Sequence, residues 1–378
     1  MNLYIFLLCA LFVCSKNEAT SQSMGVRNGH NMVYDPYTHR IILFGGADEK
    51  KVYGDTWAYA KKHWRKITAW GPSPRTFPGM VMADHYILLF GGNQVLFGNE
   101  KHPTHYLEDT WIFKNEHWIE IKSTIHPGPR AEMAMGYDPV KKVVLLFGGR
   151  KAGEQWICSD TWTFDGAQWQ RVKQNGPSAR SGAVISYDIK LNSLILFGGN
   201  PVIAKEKDYN GAMWSWYENK WHPIGSKDSL VFNSTMAYDT AAHLLIRFGG
   251  WTGTMRSQET WIYDTVWTRL KPSVSPPARN HAVMIYDTDN MECILFGGHD
   301  GENVFGDLWA FKDKKWTLIE EKKPLKRIDN GHENDTPCHT TKNWRSVRVK
   351  SSAKPIKSRS LLLHLLPVTL RLLSSIVF

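Results

Sequence analysis

The sequence predicts an all-β chain in which one four-stranded unit is repeated six times. Phe-Gly-Gly occurs at Phe44, Phe90, Phe147, Phe197, Phe248 and Phe296, at intervals of 46, 57, 50, 51 and 48 residues. Twelve of the 17 tryptophans fall in register with these triplets, and the chain holds 30 glycines. Large flat side chains combined with frequent tight turns favour packed sheets over helices.

Each element of the unit has its own signal. Tyr-Asp, at Tyr34-Asp35, Tyr137-Asp138, Tyr187-Asp188, Tyr238-Asp239 and Tyr286-Asp287, places Asp nine residues before the Phe. An Asp at a strand end supports a turn into an antiparallel partner. The next segment is a short apolar run such as Ile41-Ile42-Leu43 or Leu194-Ile195-Leu196, the pattern of a strand covered on both faces. After Gly-Gly come a polar loop and then Asp-Thr-Trp or a variant, with Trp57, Trp111, Trp162, Trp214, Trp261 and Trp309. A second series, Trp64, Trp118, Trp169, Trp221, Trp267 and Trp316, follows six or seven residues later. Such regularity points to packing, with one aromatic on the third strand and one on the fourth filling the space between neighbouring units. A Pro-rich loop ending in Arg closes the unit, as in Gly71 to Arg75, Pro127 to Arg130, Gly176 to Arg180 and Pro276 to Arg279.

Four in-phase signals over roughly residues 27–320 resemble the kelch repeat, of the kind found in the central domain of galactose oxidase. The resemblance implies a six-bladed β-propeller. The first strand of each blade would line the axis, and the loops between strands two and three would share one face with the loops between blades. Arg27–His30 would open the first blade and Trp316–Ile319 would end the sixth, leaving contacts near the termini, rather than a split blade, to close the ring.

The flanks read differently. Leu3 to Val13 is an apolar run of 11 residues, too short to span a bilayer, followed by Lys16 and Asn17. Residues 1–21 are therefore expected to be a secretory signal peptide, and lipidation at Cys14 is disfavoured by the bulk of Val13. The propeller is expected over 22–321, a basic disordered tail over 322–360 and a hydrophobic segment over 361–378. Of the formal net charge of +10, residues 322–378 supply +9 (12 Lys/Arg against 3 Asp/Glu), which leaves +1 for the rest. Nothing in that balance makes the folded body a nucleic-acid binder. The hydrophobic end reads either as a glycosylphosphatidylinositol-attachment signal, with Ser351-Ser352-Ala353 as its small site, or as a packed tail; Arg371 argues against the signal and against a stable span. Once the signal is removed, Cys158, Cys293 and Cys338 remain, too few for a disulfide framework; free thiols are expected, with Cys158–Cys338 as the alternative pairing.

Positions that recur in every unit are explained by the fold, whereas positions that break the pattern can read a ligand. Arg27, Arg75, Arg130, Arg180 and Arg279 recur and have two readings: guanidinium groups ringing the channel mouth for an acidic ligand, or structural groups capping carbonyls and pairing with a neighbouring blade's Asp. Two residues further on the units diverge, and Glu132, Asn233 and His281 would bring three different polar groups to one opening. Asn233 also begins an N-glycosylation sequon, as does Asn334, and a glycan at Asn233 would compete with a place in the channel wall. The fifth unit has Val231 in place of Arg and Arg247 in place of Leu, so Arg247 is expected to swing toward the vacant guanidinium position. His102 and His105, with Glu100 and Glu108, form a weak metal candidate; no metal or other cofactor is expected. Tyr53, Trp156, Tyr209, Trp251 and Phe305 are expected to be exposed loop aromatics suited to a protein or glycan surface.

These observations favour a secreted or periplasmic, monomeric, non-enzymatic scaffold that binds a protein or glycan on its loop face. The alternative is an exported sugar-acting enzyme. The blades resemble those of bacterial sialic-acid mutarotases and galactose-oxidase-type oxidases, which would cast Glu132 with Arg130 or Arg180 as acid/base and carboxylate-binding groups. Neither a copper constellation nor a sialidase Asp-box is present in the sequence.

Overall fold

A computed structural model describes residues 24–67, 70–95, 105–152, 156–173, 175–201, 213–225 and 231–326. The signal, the tail beyond 326, His102, Tyr209, Asn334 and Cys338 lie outside them. All regular structure in these residues is β. Six antiparallel four-stranded sheets follow one another, each in simple sequence order. In the first blade the strands are Asn28–Asp35, Arg40–Ala47, Thr56–Ala60 and His63–Ile67.

The first strands of the other blades are Gly79–Ala83, Ala134–Asp138, Arg180–Asp188, Thr235–Asp239 and Val283–Asp287. Each touches the first strand of the next blade, and Val283–Asp287 touches Asn28–Asp35, so the six blades form a closed ring. The second strands are the apolar runs, and side chains such as Ile42, Leu88, Leu145, Leu196, Leu245 and Leu295 are fully buried between blades. In the Tyr-Asp turns Asp accepts backbone N–H bonds, as Asp138 does from Val140 and Lys141 at 3.0 Å. The hairpins between third and fourth strands include Lys61-Lys62, Asn115-Glu116 and Glu218-Asn219, pairs with positive φ throughout, as a tight two-residue turn demands.

The two tryptophan series join the blades. Each fourth-strand Trp packs on the Phe-Gly-Gly Phe of the preceding blade, with ring centroids 5.1–5.5 Å apart, and Trp64 on Phe296 completes the circle. Trp118, Trp169, Trp221 and Trp316 also donate their indole N–H to Thr56, Thr110, Thr161 and Thr260 at 2.8–2.9 Å. The threonine of Asp-Thr-Trp is therefore an acceptor for the next blade. In the fourth and sixth blades Met213 and Leu308 replace it, and the indole N–H groups of Trp267 and Trp64 are left without partners.

Ring closure follows the expectation that no strand is exchanged. Arg27 N–H donates to Phe305 at 2.9 Å, Gly298 N–H donates to Arg27 at 2.8 Å, and Met24 is buried among Ile294, Phe296 and Leu308. One boundary moves. Leu325–Lys326 pairs with Asn303–Val304, so ordered structure passes the expected limit at residue 321. Cys158 and Cys293 are buried free thiols, and burial raises the pKa of both.

Candidate ligand-binding mouth

The repeated arginines are buried, Arg75 and Arg279 completely. Arg27, Arg75, Arg130 and Arg279 form two-pronged pairs with Asp55, Asp109, Asp160 and Asp307, the closer contacts lying at 2.5–2.7 Å. These are the Asp of Asp-Thr-Trp in the same blade, not in a neighbouring one as the structural reading supposed. Each Asp accepts in addition the indole N–H of the Trp two residues on, at 2.7–2.9 Å. Burial alone would raise the carboxyls of Asp55, Asp109 and Asp160, but the guanidinium and indole bonds outweigh it and hold them below the ordinary carboxylate range.

The same arginines also hold the Gly-Gly turns. Nη1 of Arg27, Arg75, Arg130, Arg180 and Arg279 donates to the first-Gly carbonyl of its own blade at 2.9–3.1 Å. The second Gly N–H donates to the backbone carbonyl of the next blade's Arg at 2.8–3.0 Å in five blades, and to Val231 at 3.3 Å in the fourth. A Cβ on Gly148 would sit 2.5 Å from the Arg180 carbonyl oxygen, which is why the turn excludes side chains. The guanidinium groups therefore face internal acceptors, and this arrangement does not present them as a ring to a ligand.

Arg180 stands in a blade without the Asp: it bonds the Ser178 carbonyl and hydroxyl at 3.0 and 2.9 Å. In the fifth blade Glu259 replaces Asp and pairs with Arg269 at 2.9 Å, while accepting the Trp261 indole at 2.9 Å. Arg247 takes a different course from the one expected. Its buried guanidinium lies 4.9–5.6 Å from the rings of Phe197, Trp261 and Trp267, between the fourth and fifth blades. Aromatic faces attract a cation, which favours this charge in an otherwise apolar strand.

The six divergent positions lie on one circle. Gly29, Phe77, Glu132, Gly182, Asn233 and His281 all have φ between +53° and +63°. This left-handed turn aims N–H groups along the ring: Phe77 donates to Gly29, Glu132 to Phe77, Gly182 to Glu132, Asn233 to Gly182 and His281 to Asn233, at 2.6–3.2 Å. The interblade bonds offset a conformational cost of about 1 kcal/mol at each non-glycine position. Phe77 covers Gly29 and meets the His281 ring at 4.7 Å, and the Asn233 side chain fills the space beside Gly182. A glycan on Asn233 would have to displace that packing.

Above this circle sits a second divergent set, the residues directly after Phe-Gly-Gly. The pairs Ala131–Arg150, Phe232–Trp251 and Asn280–His299 are backbone bridges that place Arg150, Trp251 and His299 beside the ring. Arg150 Nε lies 3.6 Å from the Glu132 carboxylate, and its guanidinium is 5.1 Å from the Trp156 ring. Arg256 lies 5.0 Å from the Trp251 ring. His281 Nδ1 and His299 Nε2 are 2.9 Å apart. Sequence reasoning missed Arg150, Arg256 and His299; aligning the residue after each Phe-Gly-Gly (Ala47, Asn93, Arg150, Asn200, Trp251, His299) would have exposed the first and last. Of the expected loop aromatics, Phe305 is buried against Arg279, and Tyr53 is half-buried over Arg27. His105 is exposed, and among the described residues no three metal-ligating groups cluster.

The mouth thus offers aromatic faces, two arginines, a histidine pair and one carboxylate already facing a cation. Glu132 faces Arg150, whereas Arg130 is paired with Asp160. A closed ring of six Phe-Gly-Gly blades with a divergent axial mouth defines a kelch-type propeller. The chain belongs to that family: the model of the KLHDC2/KLHL20/DRC7 Kelch-repeats domain matches residues 2–199 and 139–334. An F-box/kelch-repeat protein of Arabidopsis thaliana is 29% identical over 182 residues, covering 43% of this chain and 36% of that protein. The flagellar outer-arm dynein alpha chain of Chlamydomonas reinhardtii is 23% identical over 269 residues, 63% of this chain but 6% of that one. A tRNA wybutosine-synthesizing protein 4 of Emericella nidulans is 26% identical over 149 residues, 35% of this chain and 13% of the relative. This chain therefore spans about a third of the first relative's length and far less of the others. Kelch propellers are commonly protein-binding scaffolds.

Proposed function

We propose that this chain is a secreted, non-enzymatic propeller whose axial mouth binds a protein ligand. One observation carries the reading: two sets of residues that depart from the six-fold pattern, those two positions after the recurring Arg and those directly after Phe-Gly-Gly, lie beside one another, while the recurring residues bond to one another. Glu132, Arg150, Trp156, Trp251, Arg256, His281 and His299 supply the aromatic and arginine chemistry enriched where proteins are recognised. The three relatives carry different printed names and each matches part of this chain, as expected of one fold used in different proteins. Secretion rests on the apolar run at Leu3 to Val13.

The test is selection from a displayed peptide library alongside a glycan array, repeated with Trp251→Ala and His299→Ala. Peptides enriched by the wild type should bind each variant roughly tenfold more weakly. Unchanged binding in both variants refutes the mouth assignment. Glycan binding without peptide binding replaces the protein ligand by a carbohydrate, and turnover of a bound sugar would establish the enzymatic alternative. Secretion is checked by the N-terminus of protein recovered from the medium of producing cells; retention with Met1 intact rules it out.

A further inference from the structure

The seam between blades six and one is built differently from the other five. Elsewhere a fourth strand runs on into the first strand of the next blade, whereas here no chain crosses from blade to blade. Arg27 N–H donates to Phe305 and Gly298 N–H to Arg27 across it, and the Met24 carbonyl accepts from Lys322 Nζ. Two bonds present at most other seams are missing here among the described residues. Leu308 offers no hydroxyl to the Trp64 indole. The run of mouth bonds that passes from Gly29 through Phe77, Glu132, Gly182 and Asn233 to His281 is not completed by a bond from Gly29 N–H to His281.

A titratable group is buried in this seam at its mouth end. His30 stands three residues after the recurring Arg, where the other blades have Pro78, Met133, Ala183, Ser234 and Ala282, none of which titrates. It is 3% exposed, meets Phe296 edge-on and abuts Gly297 of blade six, and neither ring nitrogen has a hydrogen-bond partner. The charged groups around it are Arg27, paired with Asp55 on its own blade, and Arg279, paired with Asp307, which holds the Gly297 carbonyl on blade six. No carboxylate accepts a bond from the imidazole. The far end of the seam responds to acid in the opposite sense. His39 Nδ1 lies 2.7 Å from Asp289 Oδ2, joining the turns between first and second strands of blades one and six. A proton on that exposed imidazole strengthens its bond to the carboxylate.

We propose that the ring is acid-gated: protonation of His30 parts the mouth end of this seam, while His39 and Asp289 hold its other end together. Burial, with the Arg27 charge second, lowers the His30 pKa from 6.5 to about 3 in the closed ring. A parted seam admits water to the imidazole and restores its ordinary value, so opening gains a factor of 1 + 10^(6.5 − pH). That factor is roughly 30 at about pH 5 and about 1.3 at about pH 7. Phe77 of blade two covers Gly29 and meets the His281 ring of blade six, so parting the seam separates groups that stand together in the mouth. The gate does not depend on which ligand the mouth takes.

Amide hydrogen exchange of the full-length chain at about pH 7 and about pH 5, corrected for the intrinsic pH dependence of exchange, tests the gate. Peptides carrying Arg27 and Gly298 report the seam between blades six and one. Peptides carrying Gly149 and Arg180, whose N–H groups donate to Arg180 and Cys158, report the boundary of blades three and four. Protection at Arg27 and Gly298 should fall roughly 20-fold on acidification in the wild type and stay nearly constant in His30→Met. Protection at Gly149 and Arg180 should hold in both proteins. Unchanged protection at the seam, an equal fall in His30→Met, or an equal fall at the boundary of blades three and four each overturns the proposal, the last because it marks unfolding of the whole ring. Should His30→Met fail to fold, the comparison of the two boundaries within the wild type still decides between gate and no gate.

Discussion

Acidifying the protein should loosen the seam between the sixth and first blades through His30. This side chain is almost fully buried, meets the Phe296 ring edge-on at 5.3 Å, and neither ring nitrogen has a hydrogen-bond partner. Burial, reinforced by the nearby Arg27 charge, lowers its pKa from 6.5 to about 3. The folded protein therefore binds this proton less readily than the unfolded chain. Stability is complete above the unfolded value and is lost as pH falls through the window between 6.5 and about 3. At about pH 5 the unfolded state gains RT ln(1 + 10^1.5), about 2 kcal/mol, and any folded value well below 5 gives the same figure. Methionine, which Met133 supplies at the equivalent position of blade three, removes the titration without a large change of volume. Urea unfolding followed by tryptophan fluorescence at about pH 7 and about pH 5 should show the wild type losing about 2 kcal/mol more than His30→Met. Other histidines and the paired carboxylates are common to both proteins and cancel in the difference. Equal losses would refute the claim that a neutral, unpartnered imidazole is held in the seam.

Two further outcomes follow from the bonds between blades. Gly148→Ala places a Cβ 2.5 Å from the Arg180 carbonyl in a residue with φ +67°, and should cost roughly 3 kcal/mol in chemical denaturation; a cost below about 1 kcal/mol would mean that the Gly-Gly turn relaxes freely. Thr161→Val preserves shape but removes the acceptor of the Trp221 indole and should cost about 1–2 kcal/mol, whereas no loss would show that the blade interface tolerates an orphaned indole at no cost.

The number of blades, the strand order within each and the interblade role of the tryptophans were legible in the sequence because each rests on a local pattern repeated in phase. Phe-Gly-Gly at a regular period needs no knowledge of what lies across the ring. The burial of the arginines was open, since a guanidinium at a loop end is compatible with either a ligand or an internal carboxylate. Only the tertiary structure brought Arg27 to Asp55, 28 residues away, and Arg130 to Asp160, 30 residues away. Arg247 illustrates the same limit, because its aromatic neighbours come from two blades and no spacing announces them.

The sequence by itself determined that Glu132, Asn233 and His281 depart from the repeat at equivalent places. The tertiary structure decided that those places are joined by a run of five backbone hydrogen bonds from Gly29 to His281, and that Glu132 faces Arg150 there. The physical reason is the same in each case. A repeat fixes what every blade does for itself and its neighbour through short-range geometry, whereas a site is assembled where several blades meet, from single residues whose distances depend on closing the ring.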